Sequence, residues 1–460
     1  MIVSRDWAGK TFAVLGLARS GAATVSALLA GGANVVAWDR DPTKRDALKP
    51  LPFRGGGGGE ASPQIVRPED APHPNPSPEG QGLTLVDLDT VDLSGFDALV
   101  VSPGVPLNTH PLAAKAGAAG VPVIGDIELF AQARHGLPPH KVVGITGTNG
   151  KSTTTALVHH ILKTAGVPSL MGGNIGLPIL GQEPLPRGGV YVLELSSYQI
   201  DLTESLDCDV AVLLNITPDH LDRYDGFAGY AASKARLFAM QSAGHVAVVG
   251  TGDAVSANIA QGLAGRTDDL MTIMPDSQID QSRWPALQGP HNAQNAQAAI
   301  AVARALGVGE DAIERGLASY ASLPHRMQHV ATRNGVAFVN DSKATNPEST
   351  APALGAFPRV HWIVGGKRKG DDLDACAAHL DHVVAAYTIG EAAQTFFDVL
   401  KDKVPVVEQS GTLEAAVAHA AAAAQPGDTV LLSPACASFD QFRDFEARGD
   451  AFRAAVEALA

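Results

Sequence analysis

The sequence predicts an α/β protein of three domains, and three observations support this prediction. A chain of 460 residues is too long for one hydrophobic core, because domains usually hold about 100 to 200 residues. Short apolar runs alternate with helix-like stretches, which is typical of parallel sheets covered by helices. The alternation restarts after Lys141 and after Leu323. We therefore place the domains at residues 1–130, 131–323 and 324–460.

The first domain begins with a strand–helix–strand pattern. The predicted strand Thr11–Gly16 is followed by a helix from about Ser20 to Ala30 and by the strand Asn34–Trp38. Apolar runs at Ala98–Ser102 and Val121–Ile124 extend a small parallel sheet. A Rossmann-like fold is therefore expected.

An insertion at residues 54–82 is rich in Gly and Pro and almost free of apolar residues. Such a segment buries too little surface to offset the entropy of ordering it. We expect a disordered surface insertion, and a proline-rich docking segment is the alternative.

The second and third domains repeat the strand and helix alternation. In the second, a strand leads into a glycine loop and a helix, and the predicted elements are a strand at 142–146, a helix at 150–164 and strands at 190–195 and 209–215. In the third, strands are predicted at 336–340, 360–364, 385–389 and 429–433. We expect a central phosphate-loop ATPase-like domain and a C-terminal Rossmann-like domain.

Composition limits the classes of function. The formal net charge of −14 argues against nonspecific binding to nucleic acid or anionic lipid, which depends on clustered Lys and Arg. Cys208, Cys376 and Cys436 are far apart and odd in number, as expected for reduced thiols in a cytoplasmic protein. No apolar stretch reaches about 18 residues and the N-terminus lacks a secretion signal, so neither membrane insertion nor export is expected.

The segment Gly144–Thr153, GITGTNGKST, carries the strongest chemical signal. It follows a strand and opens a helix, where glycines let backbone N–H groups approach phosphate and Lys151 adds a positive charge. The Ser152 hydroxyl is a suitable Mg²⁺ ligand. A chance glycine turn is the alternative. The predicted ATP-binding residues of the loop are Gly147, Thr148, Asn149, Gly150, Lys151, Ser152 and Thr153.

Polar residues near two further apolar runs are candidates for the same site. Glu194 ends VYVLE, where a carboxylate beside a phosphate loop can bind Mg²⁺; a structural ion pair is the alternative. His220 follows the next run and so lies at the same sheet edge, although a lone His is more often structural. The pattern alone makes Lys234 a solvated helix residue. Asn292 and Asn295, three apart on one helix face, either contact an adenine or cap the helix.

In the third domain, Arg326, Asp341, Lys343, Lys369 and Ser438 each lie at a strand end or in a Gly- or Ser-rich turn. Each is a weak signal by itself, because surface Arg and Lys are common. Together they suggest a second polar face that closes on the nucleotide.

Near the N-terminus, GLARSG is similar to a dinucleotide fingerprint in which Ala18 replaces the second glycine, and Asp39 follows downstream. A nucleotide-binding Rossmann-like fold is expected. Redox use of NAD is not, because the phosphate loop and its Mg²⁺ ligands would then have no purpose.

A set of motifs in order carries a resemblance to a known family: GITGTNGKSTTT, GGNIGLP, LELSSYQ, NITPDHLDRY, GPHNAQNAQAA, PHRMQ, NDSKATNP and LLSPACASFDQF. The chain resembles the Mur ligases of peptidoglycan synthesis over nearly its whole length, and most closely those that add D-glutamate to UDP-N-acetylmuramoyl-L-alanine. The resemblance implies an ATP- and Mg²⁺-dependent cytoplasmic enzyme of cell wall biogenesis, cell shape and cell division. It also implies an acyl-phosphate intermediate and a first domain that binds the uridine nucleotide. We expect a monomer.

By the same resemblance, catalysis is assigned to Lys151, His220 and Lys234. Two Mg²⁺ sites are implied, one at Ser152 with Glu194 and one at His220 with Lys234. Lys234 would be carbamylated, because an ammonium repels a metal whereas a carbamate offers it an anionic oxygen. This implication replaces the solvated interpretation of Lys234.

The resemblance also assigns the remaining substrate contacts. The implied ATP contacts include Asn292, Asn295, Arg326 and Asp341 in addition to the loop residues. Those to D-glutamate are Lys343, Thr345, Lys369, Ser438 and Phe439, with Lys367 as the alternative to Lys369. Those to the muramoyl group are Asn174 and Gln199. Those to the uridine nucleotide are Arg19, Ser20, Asp39, Arg40 and the Ser102–Pro103–Gly104 turn.

Two rival functions fit the sequence less well. One is a ligase of the same architecture that adds a diamino acid or extends folate with glutamate; the lack of a DNPR-type segment and the presence of Ser152 after the loop lysine argue against it. The other is a nonenzymatic nucleotide-binding regulator, which would need no second metal and hence neither His220 nor Lys234.

Overall fold

The computed structural model describes residues 1–48, 82–219, 223–265, 269–274, 279–368, 370 and 372–459. The predicted insertion lies outside the described residues except for Gly82, and so do His220 and Lys369. The chain divides into two compact units, Met1–Ile273 with Ile300–Gly309 and Met274–Ala299 with Glu310–Ala460. The predicted boundaries at 130/131 and 323/324 stay predictions.

The first unit contains two sheets among its described residues. The strands of the first sheet are β1 (Thr11–Leu15), β2 (Asn34–Trp38), β3 (Leu83–Leu85), β4 (Ala98–Val101) and β5 (Val123–Ile124). They are all parallel, in the order β3-β2-β1-β4-β5. The accompanying helices are α1 (Arg19–Ala30), α2 (Pro42–Asp46), α3 (Pro111–Ala119) and α4 (Asp126–Ala133). The predicted parallel sheet is confirmed, and β3, α2, α3 and α4 are additions to the predicted elements.

The second sheet carries the predicted phosphate loop. Its strands are β6 (His140–Thr146), β7 (Ser169–Gly173), β8 (Gly189–Glu194), β9 (Val210–Leu213), β10 (Val246–Gly250) and β11 (Leu270–Ile273). They are parallel in the order β11-β10-β9-β6-β8-β7. Its helices are α5 (Lys151–Thr164), α6 (Ser197–Asp201), α7 (Gly226–Ala239) and α8 (Ala254–Leu263). The central strands are buried along most of their length, as expected for a sheet covered on both faces.

The two sheets of the first unit share one apolar core. Ile2 and Trp7 belong to the same buried cluster as Val142 and Leu193 of the second sheet, and the Ile2 amide donates to the Leu180 carbonyl at 3.0 Å. Removing this apolar area from water is the main free-energy gain of the packing. The first unit therefore folds around both sheets together.

The second unit contains one mixed sheet in the part of it that the structure describes. Its strands are β12 (Gln328–Arg333), β13 (Val336–Asn340), β14 (Val360–Gly365), β15 (Val383–Ile389), β16 (Val407–Gly411) and β17 (Thr429–Leu432). The order is β12-β13-β17-β14-β15-β16, with only the edge strand β12 antiparallel. The helices are α10 (Glu310–Ser319), α11 (Pro347–Leu354), α12 (Ala393–Leu400), α13 (Leu413–Ala423) and α14 (Phe445–Glu457).

One further helix, α9 (Pro290–Ala305), starts among the residues of the second unit and ends among those of the first. Short 3₁₀ helices cover Arg5–Trp7, Arg134–Gly136, Ile179–Gly181 and Asp374–His382. Within the described ranges, no helix has both the length and the apolar character that a bilayer crossing requires.

Candidate active site

The loop between β6 and α5 has a backbone that depends on glycine. Gly147 and Gly150 have φ values of 145° and 85°, a region that side chains disfavour. A Cβ on Gly147 would also lie 3.1 Å from Leu214 Cβ. The loop ends at the N-terminus of α5, where the helix dipole and backbone N–H groups favour an anion. The predicted phosphate loop therefore has suitable geometry.

Asn215 and Thr217, which follow β9, hold this loop in place. The sequence analysis did not predict this role for them. The Asn215 carbonyl accepts from Thr148 N at 2.9 Å, and its side-chain Oδ1 accepts from Asn149 N at 2.9 Å. Thr217 N donates to Thr148 Oγ1 at 3.0 Å. Strand β9 is the neighbour of β6, so the residues shortly after β9 lie near the loop that follows β6. The polar residues in that segment were the sequence signal for this role.

Glu194 is buried at the end of β8, beside the start of α5. Its side chain accepts two hydrogen bonds from uncharged donors, Ser152 Oγ at 2.5 Å and Asn174 Nδ2 at 2.7 Å. A carboxylate and a hydroxyl are the oxygen donors that Mg²⁺ prefers. Ser152 and Glu194 therefore fit the first predicted metal site, and Asn174 orients the carboxylate.

Lys234 of α7 reaches the same loop and is 2% exposed, so its interpretation from pattern alone as a solvated residue is wrong. Its Nζ donates to the Gly147 carbonyl at 2.9 Å and lies 4.7 Å from the Tyr230 ring centroid. Burial, followed by the nearby charge of Lys151, holds the pKa of Lys234 well below its ordinary value.

Lys151 folds back over its own loop. Its Nζ donates to the carbonyl oxygens of Gly147 at 2.9 Å and Thr148 at 2.8 Å. The Gly147 carbonyl therefore accepts from both Lys151 and Lys234, which places both side chains against the backbone of the predicted phosphate loop.

Gln199 is buried in α6 and has a local structural contact. Its Oε1 accepts from Ser196 N and Ser196 Oγ, both at 3.2 Å, and Ser196 Oγ accepts from Gln199 N. The pair forms a capping box at the start of α6. The predicted muramoyl contact of Gln199 is untested.

The residues predicted to bind the uridine nucleotide meet at one edge of the first sheet. Leu15 pairs with both Trp38 and Val101, so the segments that follow β1, β2 and β4 start side by side. Ser102 Oγ donates to the Gly16 carbonyl at 2.8 Å. A Cβ on Gly21 would lie 1.8 Å from that same carbonyl oxygen, so glycine is required there.

The Asp39 side chain forms hydrogen bonds with backbone groups at this edge of the first sheet. Its carboxylate accepts from Leu17 N at 2.7 Å and Asp41 N at 2.9 Å, and Lys44 Nζ lies 3.6 Å away. Asp39 thus fixes the GLARSG turn. The other predicted contacts are half-buried at Ser20, Ser102 and Pro103 and exposed at Arg19, Arg40 and Gly104.

In the second unit, Asp341 follows β13 and is buried. It accepts from Met327 N at 3.1 Å and from Ser433 Oγ at 2.8 Å. Burial raises the pKa of Asp341 to about 7. The neighbouring Arg326 lies between two non-glycine residues with left-handed backbone, His325 at φ 62° and Met327 at φ 45°. Such strain persists only where the surroundings enforce it.

Arg448 of α14 is a further residue that the sequence reasoning missed. Its guanidinium is buried and donates to Ser342 Oγ at 3.0 Å, to the Ser342 carbonyl at 2.9 Å and to the Cys436 carbonyl at 3.0 Å. It thereby joins the segments after β13 and β17. These segments contain the predicted D-glutamate contacts: Lys343 and Thr345, both half-buried, Ser438, which is buried, and Phe439, which is exposed.

Lys367, the alternative to Lys369, belongs to this group as well. Its backbone pairs with Ala437 through hydrogen bonds of 2.8 and 2.9 Å. Lys343, another predicted D-glutamate contact, has its Nζ 3.9 Å from the centroid of the Phe445 ring.

Asn292 and Asn295 lie on one face of α9, as predicted. Asn295 Nδ2 donates to Asn292 Oδ1 at 3.2 Å, and Asn292 Nδ2 donates to the Gln288 carbonyl at 3.1 Å. Both side chains are buried. Gln288 lies just before the first residue of α9, so its hydrogen bond with Asn292 helps to fix the start of this helix.

The chain matches known families and proteins over most of its length. The Mur ligase middle domain family matches residues 145–284, and the glutamate ligase domain family of Mur ligases matches residues 325–436. A UDP-N-acetylmuramoylalanine–D-glutamate ligase from Novosphingobium aromaticivorans is 61% identical over 100% of this chain and 97% of its own length. The chain belongs to the Mur ligase family. A ligase of the same name from Sphingopyxis alaskensis is 59% identical to this Mur ligase over 100% of both chains.

Solved structures agree on the fold of this Mur ligase. The UDP-N-acetylmuramate-alanine ligase of Thermotoga maritima matches with a TM-score of 0.56 at 15% identity, covering 98% of this chain and 99% of its own. A pseudomurein peptide ligase type C from Methanothermus fervidus gives 0.53 at 18% identity, covering 98% and 99%. The predicted α/β architecture with several domains is confirmed.

Proposed function

We propose that this Mur ligase joins D-glutamate to UDP-N-acetylmuramoyl-L-alanine with cleavage of ATP to ADP and phosphate, in cytoplasmic peptidoglycan precursor synthesis. The contact of Ser152 with the buried Glu194 beside the phosphate loop carries the ATP-dependent part of the proposal. The choice of substrates is supported by the ligases of that name at 61% and 59% identity over the whole chain.

The reaction must first activate a carboxylate, which is a poor electrophile. The L-alanyl carboxylate attacks the γ-phosphorus of ATP, ADP leaves, and an acyl phosphate forms. The D-glutamate amine then attacks the acyl carbon, phosphate leaves, and the nitrogen loses a proton. Lys151 and the N–H groups at the start of α5 stabilise the charge on the transferred phosphoryl group.

Ser152 and Glu194 would hold one Mg²⁺ ion, and the predicted second site joins His220 to Lys234. Bound Mg²⁺ supplies neutralisation of the phosphate oxygens during transfer. Asn174 keeps the Glu194 carboxylate oriented for this role through its 2.7 Å hydrogen bond.

Lys234 would act as its carbamate. Its burial beside the Gly147 carbonyl makes a permanent ammonium costly. The neutral Lys234 amine attacks the carbon of CO₂, an N–C bond forms and one proton is released from the nitrogen, so that a neutral amine becomes an anionic carbamate with oxygen ligands. This role is proposed from the family resemblance together with the position of Lys234.

For the finer assignments, we propose Rossmann-like folds for the uridine-nucleotide domain and the C-terminal domain and a phosphate-loop ATPase-like fold for the central domain. The predicted contacts of ATP with Asn292, Asn295, Arg326 and Asp341 stay part of the proposal. So do the D-glutamate contacts in the second unit and the monomeric state.

The test is phosphate release from ATP by the purified full chain, with UDP-N-acetylmuramoyl-L-alanine and either D-glutamate, L-glutamate, L-lysine or diaminopimelate. We expect turnover with D-glutamate only. Turnover with L-lysine or diaminopimelate in its place would refute the substrate assignment. Lack of turnover with every amino acid would favour a nucleotide-binding regulator.

The carbamate has its own test. Lys234→Ala should abolish ligation, and added bicarbonate should not restore it. Lys163→Ala, at the exposed C-terminal end of α5, should retain activity as a matched control. An active Lys234→Ala enzyme would contradict the proposed role.

A further inference from the structure

Arg223 connects the two sheets of the first unit. Its Nη1 donates to the Val105 carbonyl at 3.1 Å and its Nη2 to the Gly104 carbonyl at 3.2 Å. The guanidinium carbon also lies 4.3 Å from the centroid of the Tyr198 ring. One side chain thus contacts the segment after β4 and the helix α6 after β8.

The Arg223 contact continues through a row of three tyrosines, which we call the tyrosine stack. Tyr198 and Tyr224 are parallel, with centroids 6.0 Å apart and an interplanar angle of 10°. Tyr224 and Tyr230 follow at 5.5 Å, and the Tyr230 hydroxyl lies 3.2 Å from Thr148 Oγ1 of the phosphate loop.

Two further contacts hold the rings of the tyrosine stack. The hydroxyl of the middle ring, Tyr224, donates to Asp201 Oδ2 at 2.8 Å, and Lys234 Nζ lies over the Tyr230 ring. The rings therefore form a continuous packed connection between the phosphate loop and Arg223.

Arginine has particular properties for this position. Its planar guanidinium can donate from two nitrogens to adjacent carbonyls while one face stacks on an aromatic ring. The accepting carbonyls of Gly104 and Val105 lie at the end of the turn and directly after it, and Ser102 of the same turn donates to the Gly16 carbonyl. The turn is therefore bonded both to the segment after β1 and to Arg223.

We propose that Arg223 is a positioning residue that holds the Ser102–Pro103–Gly104 turn against the tyrosine stack, so that a nucleotide substrate bound at the turn presents its carboxylate to the phosphate loop. This inference rests on the proposed function, in which that turn contacts the uridine nucleotide. Arg223 acts through the turn and the ring, not on the reacting atoms.

The test compares three variants of the full-length enzyme. Arg223→Met keeps the apolar stem but removes the donors, and Arg223→Lys keeps the charge. Arg236→Met is the matched control, because Arg236 of α7 likewise donates to a backbone carbonyl, that of Thr203 at 3.1 Å, and is exposed.

For Arg223→Met we expect the KM for UDP-N-acetylmuramoyl-L-alanine to rise about tenfold or more, because two charge-assisted hydrogen bonds and a ring contact are lost. The KM for ATP should change less than about twofold. Arg223→Lys should give an intermediate KM, and Arg236→Met should match the wild type.

Direct titration of UDP-N-acetylmuramoyl-L-alanine without ATP or D-glutamate separates this inference from the proposed function. Weaker binding by Arg223→Met than by Arg236→Met supports the inference, whereas equal binding overturns it. Equal increases in both KM values with a lowered melting temperature would also overturn it, because they indicate a general structural role. Should Arg223→Met fail to fold, Arg223→Lys and Tyr198→Leu provide the same comparison. If the wild type binds the nucleotide but ligates no D-glutamate, only the proposed function fails.

Discussion

At the scale of single residues, the candidate site is built from charged side chains in buried positions. Glu194 and Lys234 are each 2% exposed, and Asp341 is 7% exposed. Burying such groups costs free energy unless partners compensate. The sequence indicated Glu194 and Asp341 because each lies at the end of an apolar strand. Helix α7 gave no comparable signal for Lys234, since its burial depends on which elements pack around it.

The raised pKa of Asp341 predicts a pH-dependent stability. The folded pKa of about 7 exceeds the ordinary value of 3.8, so the contribution of Asp341 to stability is present below about pH 4 and lost as the pH rises through 7. Asp341→Asn cannot ionise. Its free energy of unfolding relative to the wild type should therefore rise by about 2 to 4 kcal/mol between pH 4 and pH 8.

Denaturant titrations of the ligand-free protein across this pH range would measure the difference. Asp374→Asn changes an exposed carboxylate of the same unit and serves as the control. A pH-independent difference for Asp341→Asn would show that folding does not raise the pKa of this carboxyl.

At the scale of elements, site residues come together because parallel strands end at a common edge. In the first unit, Ile145 of β6 pairs with Glu194 of β8 and with Val212 of β9. The phosphate loop therefore lies between the segments that follow both neighbours. In the second unit, β17 lies between β13 and β14, so Asp341, Lys367 and Ser438 follow adjacent strands. The sequence predicted these strands, but their order came from the structure.

Helix α14 stabilises one such edge through Arg448. Removing a buried guanidinium that donates to several acceptors leaves those acceptors without their donor. Arg448→Met should therefore lower the free energy of unfolding by about 2 to 4 kcal/mol and raise the KM for D-glutamate.

Thermal or denaturant unfolding, together with ligation kinetics, would measure both effects. Arg453→Met is the matched control, because Arg453 lies in the same helix in an exposed ion pair with Asp450. Such pairs contribute at most about 1 kcal/mol. A stability loss for Arg448→Met no larger than that of Arg453→Met would contradict the role of Arg448.

At the scale of the whole molecule, each compact unit has its own apolar core. The first unit packs two sheets around shared clusters, and the second packs both faces of one sheet. The predicted phosphate loop belongs to the first unit and the predicted D-glutamate residues to the second. Ligands that bind only the folded state should stabilise the unit that binds them.

A nonhydrolysable ATP analogue with Mg²⁺ should therefore raise the melting temperature. At a free concentration of the analogue about 100 times its Kd, binding raises the free energy of unfolding by about 2.7 kcal/mol. Lys151→Ala should lose most of this shift, whereas Lys163→Ala in the same helix should keep it. Calorimetry of the three proteins would show this, and an undiminished shift in Lys151→Ala would exclude Lys151 as a phosphate contact.

Many of the secondary-structure elements and the local chemistry of the phosphate loop could be predicted from the amino-acid sequence. It predicted the strand, loop and helix around Lys151, the parallel sheet of the first domain and the family, because periodicity, glycine positions and ordered motifs are local properties of the chain. It did not predict the strands β3, β7, β10, β11, β12 and β16. The residues of the short strand β3 and the antiparallel β12 are only partly buried and give no strong periodic signal.

The residues that support the site could be identified only from the folded structure. Asn215, Arg223 and Arg448 act on segments far from them in sequence: Asn215 lies 66 residues from Asn149, and Arg448 lies 106 from Ser342. Strand order and helix packing create such contacts, and neither can be read from a residue's neighbours in the chain. The burial that distinguishes Lys234 from a surface lysine has the same origin, since it depends on the loop and the tyrosine that α7 meets after folding.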